Sequence, residues 1–162
     1  MCQNRTPTPR DKFEVRPIGP MSTPVSLSST RVFVVDDEAD IADTLSVILR
    51  GAGFTVCTSY DGQSALEHAY KEHPDIVLSD IVMPKMDSLT LANKLREQLP
   101  ACRVLLISGN AYSLNLLSEW RDRCGPELEI LLKPIGPEVI IGKLTAIAVA
   151  AGQAGGPFAQ DA

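Results

Sequence analysis

The sequence predicts an α/β fold, a doubly wound five-stranded parallel sheet covered by helices on both faces, and three observations carry that expectation. Five short β-branched or leucine-rich runs recur along the chain. Each is followed by a segment with apolar residues at three- and four-residue spacing, the period of a helix with one buried face. The runs are almost continuously apolar rather than alternating, which is how strands buried on both faces read. Strand and helix in regular alternation require parallel pairing, and right-handed crossovers then distribute the helices over both faces.

The elements follow in order. "RVFVV" (31–35) is the first strand; Ile41, Leu45, Ile48 and Leu49 stripe the helix after it, and Gly51 and Gly53 stop that helix. "FTVCTS" (54–59) is the second strand. Asp61 caps the next helix, Ala65, Leu66 and Ala69 form its inner face, and Pro74 ends it. "DIVLS" (75–79) leads to a helix over Leu89 to Leu99, and "RVLLI" (103–107) to one over Tyr112 to Arg123. "LEILL" (128–132) leads to the fifth helix, Glu138 to Ala151. Residues 1–30, proline-rich and containing "STPVSLSST", are expected to be a disordered or extended leader, and 152–162 a flexible tail around the domain at 31–151.

Composition bounds the function. The chain of 162 residues is 44% hydrophobic and 22% charged, which suits one globular domain with a real core. A net charge of −5 argues against nucleic acid as partner, since phosphate backbones select clustered Lys and Arg. No run is long enough to span a bilayer, and the N-terminus lacks the apolar centre of a secretory signal, so a cytoplasmic address with no membrane partner is expected. Cys2, Cys57, Cys102 and Cys124 lie far apart without a C-x-x-C pair, so neither a zinc site nor a disulfide framework is expected. His68 and His73 read as a helical and a helix-end histidine, structural or solvated rather than catalytic.

In an open sheet of this kind ligands bind beyond the carboxyl ends of the strands. Strand one ends in Asp36 and Asp37, strand three in Asp80, strand four in Ser108 and Gly109, and strand five in Lys133 and Pro134. Strand two ends in nothing comparable. If strands one and three are neighbours, their terminal carboxylates meet in one small volume. Three carboxylates without histidine or thiolate form a hard, all-oxygen site that suits Mg2+. Ser108 offers a hydroxyl and Lys133 a charge on a long stem, both matched to phosphoryl oxygens. Taken singly, each has a plainer reading: acids favoured at a helix N-terminus, a turn acid, loop serine and glycine, a strand-ending Lys-Pro.

The motifs "VVDDE", "SDIVMPKMD", "LLISG" and "LLKP", in this order over about residues 31–150, resemble the receiver domain of two-component response regulators, of the single-domain chemotaxis-regulator kind. The resemblance implies the flavodoxin-like strand order 2-1-3-4-5. It implies that Asp80 accepts a phosphoryl group from a sensor histidine kinase or a His-phosphotransfer protein. Asp37, Asp80 and the backbone carbonyl of Val82 would ligate Mg2+, with Asp36 holding a metal-bound water. Lys133 and Ser108 would contact the phosphoryl oxygens, and the Lys133–Pro134 bond would be cis. Phosphorylation would then switch contacts with a downstream protein target, so the chain would be no enzyme beyond its own phosphorylation and dephosphorylation.

Three departures from the family pattern stand out. Ser88 follows "MPKMD" where the family usually has Gly, and a small backbone change is expected there. Ile130 stands where an aromatic switch residue is common. The segment from Ser108 to Lys133 runs long, which a bulged loop around Cys124 to Glu127 would absorb. These changes fall on the face formed by helix four, strand five and helix five. There Val139, Ile140, Ile141, Leu144, Ile147 and Val149 are either a partner or homodimer surface, or core. No DNA-binding, kinase or cyclase segment is seen after residue 150, so protein contact or phosphorelay is the expected output. Two alternatives remain: a degenerate receiver acting without phosphate, and a magnesium phosphohydrolase of the haloacid-dehalogenase type. The second would need an Asp-x-Asp on strand one, where Asp36 and Glu38 are the nearest fit.

Overall fold

Four consecutive hidden residues, Val32 to Val35, mark a strand with neighbours on both edges and helices on both faces. In the computed structural model, which describes residues 26–109 and 128–153, this strand, β1 (Arg31–Val35), lies between β2 (Thr55–Ser59) and β3 (Ile76–Asp80). Beyond β3 come β4 (Arg103–Ser108) and β5 (Glu129–Leu132), so the order is β2-β1-β3-β4-β5, as expected. Every pairing is parallel, with Val35 beside both Ser59 and Ser79, Asp80 beside Ile107, and Ser108 beside Leu132.

Alternate strand residues feed two separate core layers, because successive side chains point to opposite faces of a sheet. Phe33, Val35, Val77 and Leu106 pack with α2 (Gly62–Glu72) and α3 (Ser88–Gln98) through Ala65, Leu66, Ala69, Leu91 and Leu95. Val32, Val34, Ile76, Leu78, Leu105 and Ile107 pack with α1 (Ala39–Gly51) and α4 (Pro137–Gln153) through Ala42, Leu49, Ile140 and Leu144. The last of these is the fifth helix of the sequence reading, extended by two residues to Gln153. The helix expected over Tyr112 to Arg123, the loop expected around Cys124 to Glu127, Cys2, and most of the leader and tail lie outside the described residues.

Local chemistry sets the helix ends. Asp61 caps α2, accepting from the Ser64 N–H at 2.8 Å, and Asp87 caps α3 in the same way through the Thr90 N–H at 2.8 Å. α1 has Gly53 at φ 103 just beyond its end, and α2 stops with His73 in the left-handed region at φ 48, before Pro74. At the other end of α1, Glu38 occupies the capping position without a side-chain cap, and Asp40 lies in the first turn, where the helix dipole favours it.

Two details differ from the sequence reading, and a third narrows an alternative that it left open. The innermost row of α1 is Ala42, Ser46 and Leu49, with Ile41, Leu45 and Ile48 only half-buried beside it. Small residues at the centre bring the helix axis close to the sheet, and the larger ones wrap its sides. Second, the end of the expected leader is structured. Leu27–Ser29 form a 3-10 turn, the Ser28 carbonyl accepts from the Thr55 hydroxyl at 2.8 Å, and Leu27 packs against the core. Third, most of the apolar row of the last helix is core: Ile140 and Leu144 are buried, whereas Val139 and Leu132 are exposed at 48% and 39%. No helix among the described residues is long and apolar enough to cross a membrane.

Ser46 is buried on α1, and its hydroxyl alone among the described buried side-chain atoms has no hydrogen-bond partner. An orphaned hydroxyl forfeits its hydration, and serine is also a poorer helix former than alanine. Ser46→Ala is therefore expected to stabilise the protein by about 1 kcal/mol. Urea unfolding of the two proteins measures this, and an equal or lower midpoint for the variant would show that the hydroxyl is satisfied.

Candidate functional site

The order β2-β1-β3-β4-β5 collects the polar strand ends along one rim of the sheet. β1 and β3 are direct neighbours, so the chain leaves the sheet at Asp36 and at Asp80 side by side. β5 lies two strands from β3, about 10 Å away at the usual spacing. A short side chain cannot cross that gap, but a lysine stem can. Lys133 Nζ reaches Asp80 Oδ1 at 3.0 Å, over a half-covered Lys133 and a largely covered Asp80. Its backbone N–H donates to the Ser108 carbonyl at 2.7 Å, tying the Lys133 backbone to the end of β4. The Lys133–Pro134 peptide is cis, as expected.

Each predicted residue has a definite place. Asp36 is 4% exposed; its N–H donates to the Ser59 carbonyl at 3.2 Å, and its Oδ1 accepts from the Glu38 N–H at 2.9 Å. Asp37 is exposed at the rim. Asp80 is half-buried, with Oδ2 accepting from the Val82 N–H at 3.2 Å. Val82 itself is 70% exposed. Ser108 is fully buried at the tip of β4. Ile130 is half-buried and packs on the core layer shared with α2 and α3, one strand from the rim chemistry. Pro134 is exposed beside Lys133.

Electrostatics bind these residues together. Burial pushes the Asp36 carboxyl above its ordinary value of 3.8; the Glu38 N–H pulls against that, the nearby Asp80 charge adds to it, Lys133 opposes it and Asp37 raises it further. The acids are thus close enough to feel one another, and one lysine is shared among them. Among the described residues no three His, Cys, Asp or Glu form a ready-made metal cluster. Mg2+ does not need one, because it keeps waters and takes few carboxylates. An all-oxygen set with one carboxylate buried against its own ionisation fits such a cation, which would offset that burial.

Two groups at this rim were not foreseen. β2 ends in Ser59, whose carbonyl holds the Asp36 N–H and whose hydroxyl meets His68 Nδ1 of α2 at 3.2 Å. A lone serine carries no sequence signal, so only the strand order exposes this. The other group is Ser88, which lies fully buried in the first turn of α3 with its hydroxyl on the Asp80 backbone carbonyl. Its departure from the family's glycine was visible, but not the partner.

The described cysteines take no part. Cys57 and Cys102 are free, and burial pushes the Cys102 thiol up to about 12, with the Asp75 charge adding to the rise, so it stays protonated and inert.

Comparison with known proteins identifies the family. Residues 32–145 match the profile of the response regulator receiver domain. The probable transcriptional regulatory protein TcrX of Mycobacterium tuberculosis is 40% identical over 77 residues, 48% of this chain and 33% of that protein. The alkaline phosphatase synthesis transcriptional regulatory protein PhoP of Bacillus subtilis is 30% identical over 120 residues, 72% of this chain and 48% of that protein. The chain thus spans a third to a half of the length of these relatives. Among solved structures, the chemotaxis protein CheY4 of Vibrio cholerae superposes with a TM-score of 0.65 at 28% identity, covering 73% of this chain and 98% of that one. A CheY-like receiver domain protein from Methanospirillum hungatei shares the fold with a TM-score of 0.70 at 24% identity, covering 78% and 98%.

The raised Asp36 carboxyl makes a pH prediction. An acid whose folded value lies above its unfolded value holds its proton more tightly in the folded state. Stability contributed through Asp36 is thus full below 3.8 and is lost as pH rises through the raised folded value. In chelator, Asp36→Asn is expected to match wild type near pH 4 and to exceed its urea midpoint at pH 7. Parallel profiles for the two proteins over that range would contradict the assignment.

Proposed function

The chain belongs to the receiver-domain family of two-component response regulators, and on that premise we propose that Asp80 accepts a phosphoryl group from a histidine-phosphorylated partner. One observation carries the reading: the 3.0 Å contact by which Lys133 spans two strand spacings to reach Asp80, with the buried Asp36 beside it. A lysine held at the acceptor carboxylate is already where a phosphoryl oxygen would arrive.

Asp80 attacks phosphorus through one carboxylate oxygen. The new P–O bond forms as the P–N bond to the donor imidazole breaks, and the imidazole leaves with the electron pair and regains a proton from solvent. Lys133 shifts its hydrogen bond from Asp80 to a phosphoryl oxygen, and the Ser108 hydroxyl turns to another. The Val82 N–H stays on the carboxylate and orients it. Asp37, Asp80 and the Val82 carbonyl would hold Mg2+ directly, and Asp36 would hold one of its waters. When bound, the cation supplies positive charge where the phosphoryl charge develops.

The output follows from the geometry of that rearrangement. Ser108 and Lys133 sit at the ends of β4 and β5, so drawing them toward Asp80 strains the edge of the sheet that carries Ile130, Leu132 and Pro134. A downstream protein or a second receiver docking on that edge would read the change. A sensor histidine kinase or a His-phosphotransfer protein is the donor, the action is on the chain's own aspartate, and the cytoplasm is the compartment that suits such partners.

The test is intact mass after incubation with a small acyl phosphate and Mg2+. Wild type is expected to gain one phosphoryl adduct, Asp80→Asn none, and Lys133→Ala to gain it at least about tenfold more slowly. No adduct on wild type would turn the reading toward an interaction module that works without phosphate. An adduct kept by Asp80→Asn but lost from Asp36→Asn would move the nucleophile to β1.

A further inference from the structure

The acceptor's backbone is held from below by two buried hydroxyls. Ser79, the residue before Asp80 on β3, is 1% exposed, and Ser88, at the start of α3, is 0% exposed. Their hydroxyls lie 3.2 Å apart. The Ser88 hydroxyl donates to the Asp80 backbone carbonyl, and the Ser79 hydroxyl lies 3.1 Å from the same oxygen. Ser79 is held in β3 through its backbone, between Val35 and Leu106, whereas its hydroxyl and that of Ser88 lie within an otherwise apolar layer of Leu91, Met83 and Ile81.

The Asp80 carbonyl is the point where β3 leaves the sheet. The Ile81 N–H still donates to Ile107 at 2.9 Å, but the Val82 N–H has already turned back to the Asp80 carboxylate. The peptide between these two commitments aims both the acceptor carboxylate and the Val82 carbonyl. A buried hydroxyl fixed on a helix start restrains that peptide far better than solvent could. α3 is itself pinned one residue earlier by the Asp87 cap.

We propose that Ser88, with Ser79, is a positioning residue for Asp80: the Ser79–Ser88 hydroxyl pair on the Asp80 carbonyl sets the backbone from which the acceptor carboxylate and the Val82 carbonyl project. The proposal rests on the reading of Asp80 as phosphoacceptor and Mg2+ ligand. Ser88 touches neither phosphoryl group nor cation; it acts only through the Asp80 peptide. Its removal should therefore weaken metal binding as well as slow phosphoryl transfer, as losses just outside a metal site do.

Ser88→Ala removes the hydroxyl and leaves a small gap; Ser88→Cys leaves no gap, adds slight bulk and loses most of the donor strength. Each is compared with wild type in Mg2+ titration by calorimetry and in the rate of adduct formation from a small acyl phosphate. Urea unfolding checks that each variant is folded at the assay temperature. Both variants are expected to raise the Mg2+ dissociation constant about tenfold and to slow adduct formation at fixed Mg2+. Wild-type Mg2+ affinity and rate in Ser88→Cys, whatever Ser88→Ala does, would leave Ser88 a packing residue and overturn the proposal. If wild type takes no adduct yet both variants lose Mg2+ affinity, positioning stands and the phosphoacceptor reading falls. If wild type binds no Mg2+, both fall.

Discussion

The fold of this protein is arranged around a repulsion. Asp36 and Asp80 leave adjacent strands at the same rim, and Asp36 is almost wholly covered, so its charge has neither water nor distance to relieve it. What makes the arrangement tolerable is one lysine from a strand two places away, together with the backbone N–H groups of Glu38 and Val82. These partners offset the desolvation of the acids without cancelling it, since Asp36 still resists ionisation. A site left in that condition accepts a further positive charge readily.

The parallel sheet is what permits so few residues to converge. Each crossover returns the chain to the same end, so all five strands finish on one rim, and the order places the two acid-bearing strands next to each other. The helices contribute positioning rather than chemistry. α2 sends His68 to Ser59 and packs Gly62 so tightly against Met86 that an added Cβ would come within 3.0 Å of it. α3 sends Ser88 to the Asp80 peptide. The loop after Asp80 is therefore gripped on two sides, with Lys85 taking the left-handed conformation at φ 71 between the grips. Buried contacts beneath Asp80 thus stand against exposure at Val82 and Pro134 on the rim above it.

The exposed surface near β5 is modest. Val139 and Leu132 are open, but Ile140, Ile141, Leu144 and Ile147 of the last helix close the core layer that it shares with α1. Ile130 fills space in the opposite layer, where it is half-covered without needing an aromatic ring.

Much of this was legible in the residues alone. Continuous apolar runs announced strands buried on both faces, and Asp61, Gly53 and Pro74 marked the ends of their helices, because such signals act over a few bonds of the local chain. The strand-end acids, Ser108 and Lys133 could be singled out because a polar group at the end of an apolar run is conspicuous. What the sequence could not decide was burial and partnership. Ser59, Ser79 and Ser88 are ordinary serines until the strand order puts Ser59 beneath Asp36, and the seating of α3 puts Ser88 on Asp80. Likewise α1 set Ala42 and Ser46 beside Leu49 in its innermost row and left Ile41, Leu45 and Ile48 at its sides, since how closely a helix approaches a sheet depends on both surfaces. Local periodicity is written in neighbouring residues. A hydroxyl's partner is chosen by segments that meet only when the chain has folded.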